Sequence, residues 1–216
     1  MNIQGHFPEP FIFSEPDISK KEHREMLRYF EKCPLPQKDD LNYTGDVAGD
    51  DQVLSKRPFR PLLTHIKDTA KGLLKLITNK YEQYDIHIVK SWPVVLTKGS
   101  CVELHSHIGN TFSFVYYVQT EPGVGGDIAF QRPSNSSLLQ IGFAGHDLSE
   151  AFSQAMAVFP ARQNLMIMWP SPLRHCVSEL QGDAPRYSLS GDIVITQKVG
   201  LQMENKLTNP DRWIKI

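Results

Sequence analysis

Three histidines are the residues of this chain whose types and spacing are best suited to holding a metal ion. His105 and His107 are separated by a single residue, and His175 follows much later in the sequence. On a β-strand, residues i and i+2 point to the same face, so His105 and His107 can direct two imidazoles at one point. His175 would be the third ligand, arriving from a distant strand. Three ligands on one side of an iron ion leave open positions for chemistry.

An arginine after the last histidine indicates a second binding group beside the metal. Arg186 lies in a β-rich run that follows His175, and its guanidinium is a fixed positive fork suited to a carboxylate. Taken alone, each residue also has a simpler explanation. A His-x-His pair on a strand is commonly a polar outer face, Arg186 could close a surface salt bridge, and Tyr117 could be a core aromatic. The order and spacing of these residues together are what favour a site.

Two helices are predicted ahead of these residues, where they would support the strands that carry the site. The first spans Ser14–Cys33, with Ser19 and Glu22 as a capping box. The second spans Pro61–Tyr84, because apolar residues recur in it at spacings of three and four. The stretch Cys33–Pro61 is rich in Pro, Asp and Gly and is predicted to be a long surface loop.

Short β-rich runs separated by turn signals fill the chain from residue 86 onward. The predicted strands are Ile86–Val89, Trp92–Thr97, Cys101–Leu104, Thr111–Val118, Asp127–Phe130, Ala155–Phe159, Asn164–Trp169, His175–Leu180 and Arg186–Thr196. This pattern predicts an α+β, mostly β fold: a double-stranded β-helix (jelly roll) over residues 86–196, with two N-terminal supporting helices within residues 14–84. We expect residues 1–216 to form a single domain. Residues 142–154 fit either a loop or a short helix near the mouth of the site.

Composition argues against several classes of function. The chain has 216 residues, 40% of them hydrophobic and 22% charged, with a formal net charge of −1. This balance, without a long basic run, predicts no nucleic-acid partner and no anionic membrane surface. No apolar run approaches the roughly 20 residues that a transmembrane helix needs. Three scattered cysteines and an N-terminus without a basic leader predict a reduced, cytoplasmic setting.

Several short blocks, in the order in which they occur, resemble the iron(II)/2-oxoglutarate dioxygenase superfamily, in particular its prolyl-hydroxylase-like branch. The resemblance covers roughly residues 92–196. The blocks are Gly99 to His107, Ser113–Gln119, Gly125–Phe130, Phe159-Pro160, Trp169–Val177 and Arg186–Ser190. Several blocks in the family's order are a stronger signal than any one of them.

The resemblance implies a role for each of the residues that match. His105 would be the first iron ligand and His175 the last. Arg186, supported by the Ser188 hydroxyl, would hold the distal carboxylate of 2-oxoglutarate, and Tyr117 would hydrogen-bond the same carboxylate. These types are suitable because arginine offers two parallel donors and the hydroxyls add neutral ones. The implied reaction couples 2-oxoglutarate decarboxylation to hydroxylation of a protein side chain or a small molecule. Fe(II) would be the cofactor, and succinate and carbon dioxide the co-products.

His107 is the main departure from the family, which usually has Asp or Glu at that position. If His107 binds the metal, three imidazoles replace two imidazoles and a carboxylate, so the site is one unit more positive and its ligand set softer. Iron(II) still fits such a site, and zinc and copper become more plausible occupants than they are at a site with a carboxylate ligand. In two other arrangements, His107 swings away and leaves a position open, or Asp127 supplies a carboxylate from a neighbouring strand.

Three other functions are compatible with the same residues. A cupin-type enzyme with three histidines would act without 2-oxoglutarate, although no glutamate follows His107 at the place that the cupin signature expects. A zinc hydrolase or hydratase could use the same three imidazoles. A non-catalytic jelly-roll module that binds a sugar or a partner protein would hold no metal. For an enzyme, substrate contacts are expected from Cys33–Pro61 and from residues 142–154.

Overall fold

Most of the architecture consists of β-strands, along which side chains alternate between the two faces of a sheet. The structure, a computed structural model, describes residues 9–35, 51–133 and 155–198. Within these ranges the helices are α1 (Lys20–Phe30) and α2 (Arg60–Ile77). The strands of the same ranges are β1 (Ile12–Ser14), β2 (Tyr84–Leu96), β3 (Val102–His105), β4 (Phe112–Gln119), β5 (Ile128–Gln131), β6 (Met156–Phe159), β7 (Met166–Pro170), β8 (His175–Val177) and β9 (Arg186–Gln197).

The strands form two antiparallel sheets. One sheet has the strand order β1-β7-β4-β9-β2, and the other has the order β3-β8-β5-β6. Apart from β5 and β6, strands that are neighbours in a sheet are not consecutive in the chain; β4, for example, lies between β7 and β9. The predicted fold class, a mostly β jelly roll with two supporting helices, is confirmed.

The two faces of the five-stranded sheet have different partners. On β4, Phe114 and Tyr116 belong to the core cluster that includes the helices, whereas Val115 and Tyr117 pack toward the four-stranded sheet. Phe30 of α1, for example, is completely buried. The helices therefore cover the back of this sheet and leave its front face to line the space between the sheets.

The first helix is shorter than the sequence predicts. The capping box is present, since Glu22 N donates to Ser19 Oγ at 3.3 Å and Ser19 N donates to Glu22 Oε2 at 2.9 Å. The helix begins immediately after this cap, at Lys20. Of the residues expected in its first turns, Ser14 ends β1 and lies opposite Met166 of β7, and residues 15–19 precede the helix. The prediction that the helix starts at Ser14 is therefore wrong, because strand pairing at the sheet edge competes with it.

The second helix also ends earlier than predicted. It stops at Ile77, since Thr78 adopts an extended conformation with φ −146° and ψ 138°. Tyr81–Gln83 form a short 3₁₀ helix, and Tyr84 begins β2, where it lies opposite Gln197 of β9. Pairing with β9 therefore takes the residues that the sequence pattern assigned to the end of this helix.

Three further predictions differ from the structure or lie outside it. The two short strands expected at Ile86–Val89 and Trp92–Thr97 are one strand, β2, whose register shifts between Ile88 and Lys90. Within the stretch predicted as a long surface loop, Val53–Ser55 and Arg57–Phe59 are 3₁₀ helices that bury apolar side chains. Residues 36–50 of that stretch and all of residues 142–154 lie outside the described residues. No helix in the described part of the chain is long and apolar enough to cross a membrane.

Candidate metal centre and carboxylate pocket

The three histidines meet at one end of the four-stranded sheet. His105 ends β3 and lies opposite His175, the first residue of β8. His107 lies two residues beyond the end of β3, so the expectation that both histidines of the pair sit on one strand is wrong. The backbone N–H of His107 donates to Ser171 O at 3.1 Å, which holds the turn in place. One potential ligand atom from each ring lies within 4.8 Å of the other two.

The spacing of the imidazole nitrogens suits a shared ion. The Nε2 atoms of His105 and His107 are 3.2 Å apart. Two nitrogens that each lie roughly 2.1 Å from one metal ion, at a right angle, are about 3.0 Å apart. The ring of His175 completes the group, with centroid distances of 4.3 Å to His105 and 5.1 Å to His107. All three rings therefore lie at separations that one cation can bridge.

Hydrogen bonds set the tautomer of each imidazole. Nδ1 of His105 lies 2.7 Å from Glu103 O, and Nδ1 of His175 lies 3.0 Å from Leu173 O. A carbonyl oxygen only accepts, so both rings carry their hydrogen on Nδ1. Nδ1 of His107 lies 2.6 Å from a carboxylate oxygen, which has the same effect. Each ring, when neutral, thus has its Nε2 lone pair free for a metal ion.

Burial keeps two of these rings neutral. It lowers the pKa of His175 to about 3 and is also the largest cause of the lowered pKa of His105. The neighbouring imidazoles lower both pKa values further. A neutral imidazole is the form that binds metal, so the site is ready for a cation at neutral pH.

A second polar group surrounds His107 on the side away from the other histidines. The Nδ1 hydrogen of His107 is donated to Asp192 Oδ1, and Ser113 Oγ donates to the same oxygen at 2.7 Å. Ser113 Oγ is also 2.8 Å from Ser171 Oγ. Sequence reasoning missed Asp192 and Ser113. For Asp192 a signal existed, because positions 186, 188, 190 and 192 alternate along β9 and share one face.

The predicted carboxylate-binding residues form a buried pocket beside the histidines. Arg186 is 2% exposed, and its guanidinium carbon lies 4.8 Å from the centroid of the Tyr117 ring. Burial is the largest cause of the raised pKa of Tyr117. Within the described residues, five buried side-chain polar atoms have no hydrogen-bond partner: Nε and one terminal nitrogen of Arg186, the hydroxyls of Tyr117 and Ser188, and Nε1 of Trp169. Donors from four side chains are thus concentrated here, as a carboxylate ligand requires.

Gly126 is a further part of the pocket. Its φ of +71° is in the left-handed region, and an added Cβ would lie 2.9 Å from Cδ of Arg186. The glycine therefore leaves the room in which the Arg186 side chain extends. Trp169 is 2% exposed and contacts the His175 ring edge-on with a centroid distance of 5.0 Å.

The sequence-predicted site residues come together in the structure. One cavity between the sheets is lined by His105, His107, His175, Arg186 and Ser188, and Tyr117 adjoins it through its contact with the guanidinium. Asp127 is differently placed, since its Oδ1 accepts a hydrogen bond from Ala161 N at 2.8 Å. That contact gives no support to Asp127 as a substitute metal ligand.

A comparison with protein families matches the part of the chain that carries this site. Residues 90–192 match the family described as "Putative 2OG-Fe(II) oxygenase". No curated protein matches the chain by sequence. The resemblance stated from the sequence blocks is thus confirmed by the family match.

Solved structures share the fold at low sequence identity. HygX from Streptomyces hygroscopicus, solved with nickel and 2-oxoglutarate bound, is 12% identical with a TM-score of 0.55, over 86% of this chain and 83% of HygX. SnoN, a non-heme alpha-ketoglutarate-dependent epimerase from nogalamycin biosynthesis, is 14% identical with a TM-score of 0.56, over 94% of this chain and 92% of SnoN. A Pseudomonas putida prolyl-4-hydroxylase is 11% identical with a TM-score of 0.52, over 86% of this chain and 92% of the hydroxylase.

Proposed function

We propose that His105, His107 and His175 hold Fe(II) and that Arg186 holds 2-oxoglutarate. Residues 90–192, which carry all four, match the 2OG-Fe(II) oxygenase family. The activity class is that of an Fe(II)- and 2-oxoglutarate-dependent oxygenase. The observation that carries the assignment is that three imidazoles converge beside a buried guanidinium that lacks an acidic partner among the described residues.

The environment of Arg186 supports a carboxylate ligand. A buried charge is costly unless an opposite charge and hydrogen bonds compensate it. The distal carboxylate of 2-oxoglutarate would supply both, with further donors from Ser188 and Tyr117. A metal site of three histidines alone, as in a cupin-type enzyme without a co-substrate, has no use for such a group. The guanidinium therefore favours the oxygenase over that alternative.

The residues of this chain contribute binding, orientation and exclusion of water. Iron and 2-oxoglutarate, when bound, would supply the oxidising power that converts a C–H bond of the substrate to C–OH, with succinate and carbon dioxide as co-products. The three imidazoles would hold the metal on one side, and Arg186 would orient the co-substrate from the other end of the cavity. Apolar side chains line the cavity between them, namely Val94, Val102, Val115, Ile128 and Val177. They limit the access of water to the reacting atoms.

Binding of 2-oxoglutarate gives the first test. The full chain, freed of metal and reloaded with Fe(II) without oxygen, should bind 2-oxoglutarate and form succinate when oxygen and a substrate are admitted. Arg186→Ala should lose at least tenfold in 2-oxoglutarate affinity, because truncating one partner of a buried charge pair costs roughly 2–5 kcal/mol. Arg162→Ala is the matched control, since Arg162 is exposed and pairs with Glu15. Unchanged 2-oxoglutarate affinity in Arg186→Ala would contradict the assignment.

The proposed substrate is a protein side chain or a small molecule. One relative of similar fold was solved with hygromycin B bound and another is a prolyl-4-hydroxylase, so both kinds of compound belong in a screen that follows succinate. We also propose a cytoplasmic location, because the chain has three scattered cysteines, Cys33, Cys101 and Cys176, which are too few for a disulfide framework. Cell fractionation tests the location.

A further inference from the structure

Asp192 is a buried carboxylate that lies directly behind one of the three histidines. It is 6% exposed and accepts a 2.6 Å hydrogen bond from His107 Nδ1. Among the described residues, His107 is the basic side chain that lies within ion-pair distance of the Asp192 carboxylate. A carboxylate removed from water is costly unless positive charge compensates it. A cation bound to Nε2 of His107 would supply that charge through the ring.

Two serines and the sheet hold this carboxylate in place. Ser113 lies opposite Asp192 in the pairing of β4 with β9, and its hydroxyl donates to Asp192 Oδ1. Ser171 lies within hydrogen-bond distance of that hydroxyl, and its carbonyl accepts from the backbone N–H of His107. The side chain and the backbone of His107 are therefore both tied to one network. This network favours a fixed ring over one that swings away from the metal.

The network also addresses the charge of the site. With His107 in place of the family's usual Asp or Glu, three neutral imidazoles surround the metal and the site is one unit more positive. Asp192 carries the missing negative charge one imidazole further out. A carboxylate that accepts a hydrogen bond from a metal-bound histidine fixes the ring and raises its basicity.

We propose that Asp192, held by Ser113 and Ser171, is the positioning residue that makes His107 the third metal ligand and returns the negative charge that the first coordination shell lacks. This inference rests on the proposed function, because it requires the three imidazoles to share one metal ion.

Metal affinity of the full chain tests the proposal without reference to turnover. The dissociation constants for Co(II) and Ni(II) would be measured by competition with a chelator. Asp192→Asn should weaken binding roughly 10- to 100-fold, as is typical when the partner of a metal-bound histidine is changed. Asp127→Asn is the matched control, because the same change falls on a carboxylate that accepts from a backbone amide. Equal affinity in Asp192→Asn and wild type, or an equal loss in the control, would overturn the proposal.

A double-mutant cycle separates positioning from general structural support. If Asp192 acts through His107, then Asp192→Asn should have no further effect on metal affinity in a His107→Gln background. An undiminished effect in that background would show that Asp192 acts by another route. Ser113→Ala is a milder variant, in case Asp192→Asn does not fold. It should weaken metal binding by less than His107→Gln does, and unchanged affinity would count against the network.

Replacing His107 with the carboxylate that the family usually has should reverse the effect of Asp192→Asn on metal affinity. In His107→Asp, the new carboxylate would face Asp192 where the imidazole N–H had been, and the two negative charges would repel each other. Adding Asp192→Asn should then strengthen metal binding at least tenfold instead of weakening it. A loss in both backgrounds would overturn the proposal. If wild type itself bound neither Co(II) nor Ni(II), the proposed function would fail, whereas normal binding with an indifferent Asp192→Asn would remove only this inference.

Discussion

The three imidazoles are oriented by two different kinds of contact. His105 and His175 each donate from Nδ1 to the carbonyl oxygen two residues earlier in the chain, at Glu103 and Leu173. Those contacts are local, so they form as soon as each strand end adopts its conformation. His107 depends instead on a side chain from a distant strand. Two ligands are therefore set by the backbone and the third by assembly of the sheet.

The buried histidines make the stability of the metal-free protein depend on pH. The pKa of His175 is lowered to about 3 in the fold, while an unfolded chain has a histidine pKa near roughly 6.5. The unfolded state thus binds more protons below about pH 6.5, and stability should fall as pH drops from there toward the folded pKa. Chemical denaturation with a chelator present, between pH 4.5 and 8, checks this. A slope as steep in His175→Gln as in wild type would contradict the explanation.

Gly126 provides a test of how tightly the Arg186 side chain is held. In Gly126→Ala the new methyl group would displace Cδ of Arg186, and 2-oxoglutarate affinity should fall about tenfold or more, since small displacements can cost up to 10²-fold. Gly123→Ala is the control, because Gly123 has a similar φ of +76° and nothing within 4 Å of an added Cβ. Both variants should lose about 1–2 kcal/mol of stability from left-handed strain. Equal 2-oxoglutarate affinity in the two would show that Arg186 tolerates the contact.

Sequence reasoning located elements better than their ends and partners. The capping box at Ser19 was identified from the sequence, because that motif satisfies amide groups locally, and it lies at the start of α1, although the helix was expected from Ser14. The end of α2 could not be found the same way, since it is decided by pairing of Tyr84 with β9. Alternation along β9 places Asp192 on the same face as Arg186, but it does not identify the partner of Asp192. Its role follows from lying opposite Ser113, and that register is a property of the assembled sheet.

The first helix supports the sheet from behind and does not touch the site. Ser19→Ala would remove the side chain of the capping box and should lower the free energy of unfolding by about 1 kcal/mol. Metal affinity should remain that of wild type, because Phe30 and the rest of the buried face of α1 contact the opposite side of the five-stranded sheet. Urea denaturation and Ni(II) competition measure the two effects. A loss of Ni(II) affinity would show that α1 does more than support the sheet.

Ligands should stabilise the whole molecule in a fixed order. A ligand that binds only the folded state adds about 2.7 kcal/mol at a concentration of 100 times its Kd. Ni(II), which avoids oxidation, should therefore raise the melting temperature, and 2-oxoglutarate should raise it further when the metal is present. In Arg186→Ala the Ni(II) shift should persist and the 2-oxoglutarate shift should disappear. Loss of both shifts together would indicate that the arginine supports the metal centre as well.

Strand β9 carries both halves of the site on alternate residues, from the guanidinium at position 186 to the carboxylate at position 192. A sliding error of one residue during folding would turn every one of these groups toward the helices at once. A misassembled molecule would then have no activity and would bury charged groups among the apolar side chains of the helices. The cost of burying those charges would lower its stability and make it susceptible to proteolysis. The register of β9 therefore determines whether both groups of residues are in place together, so a molecule with only one of them does not arise from a register error.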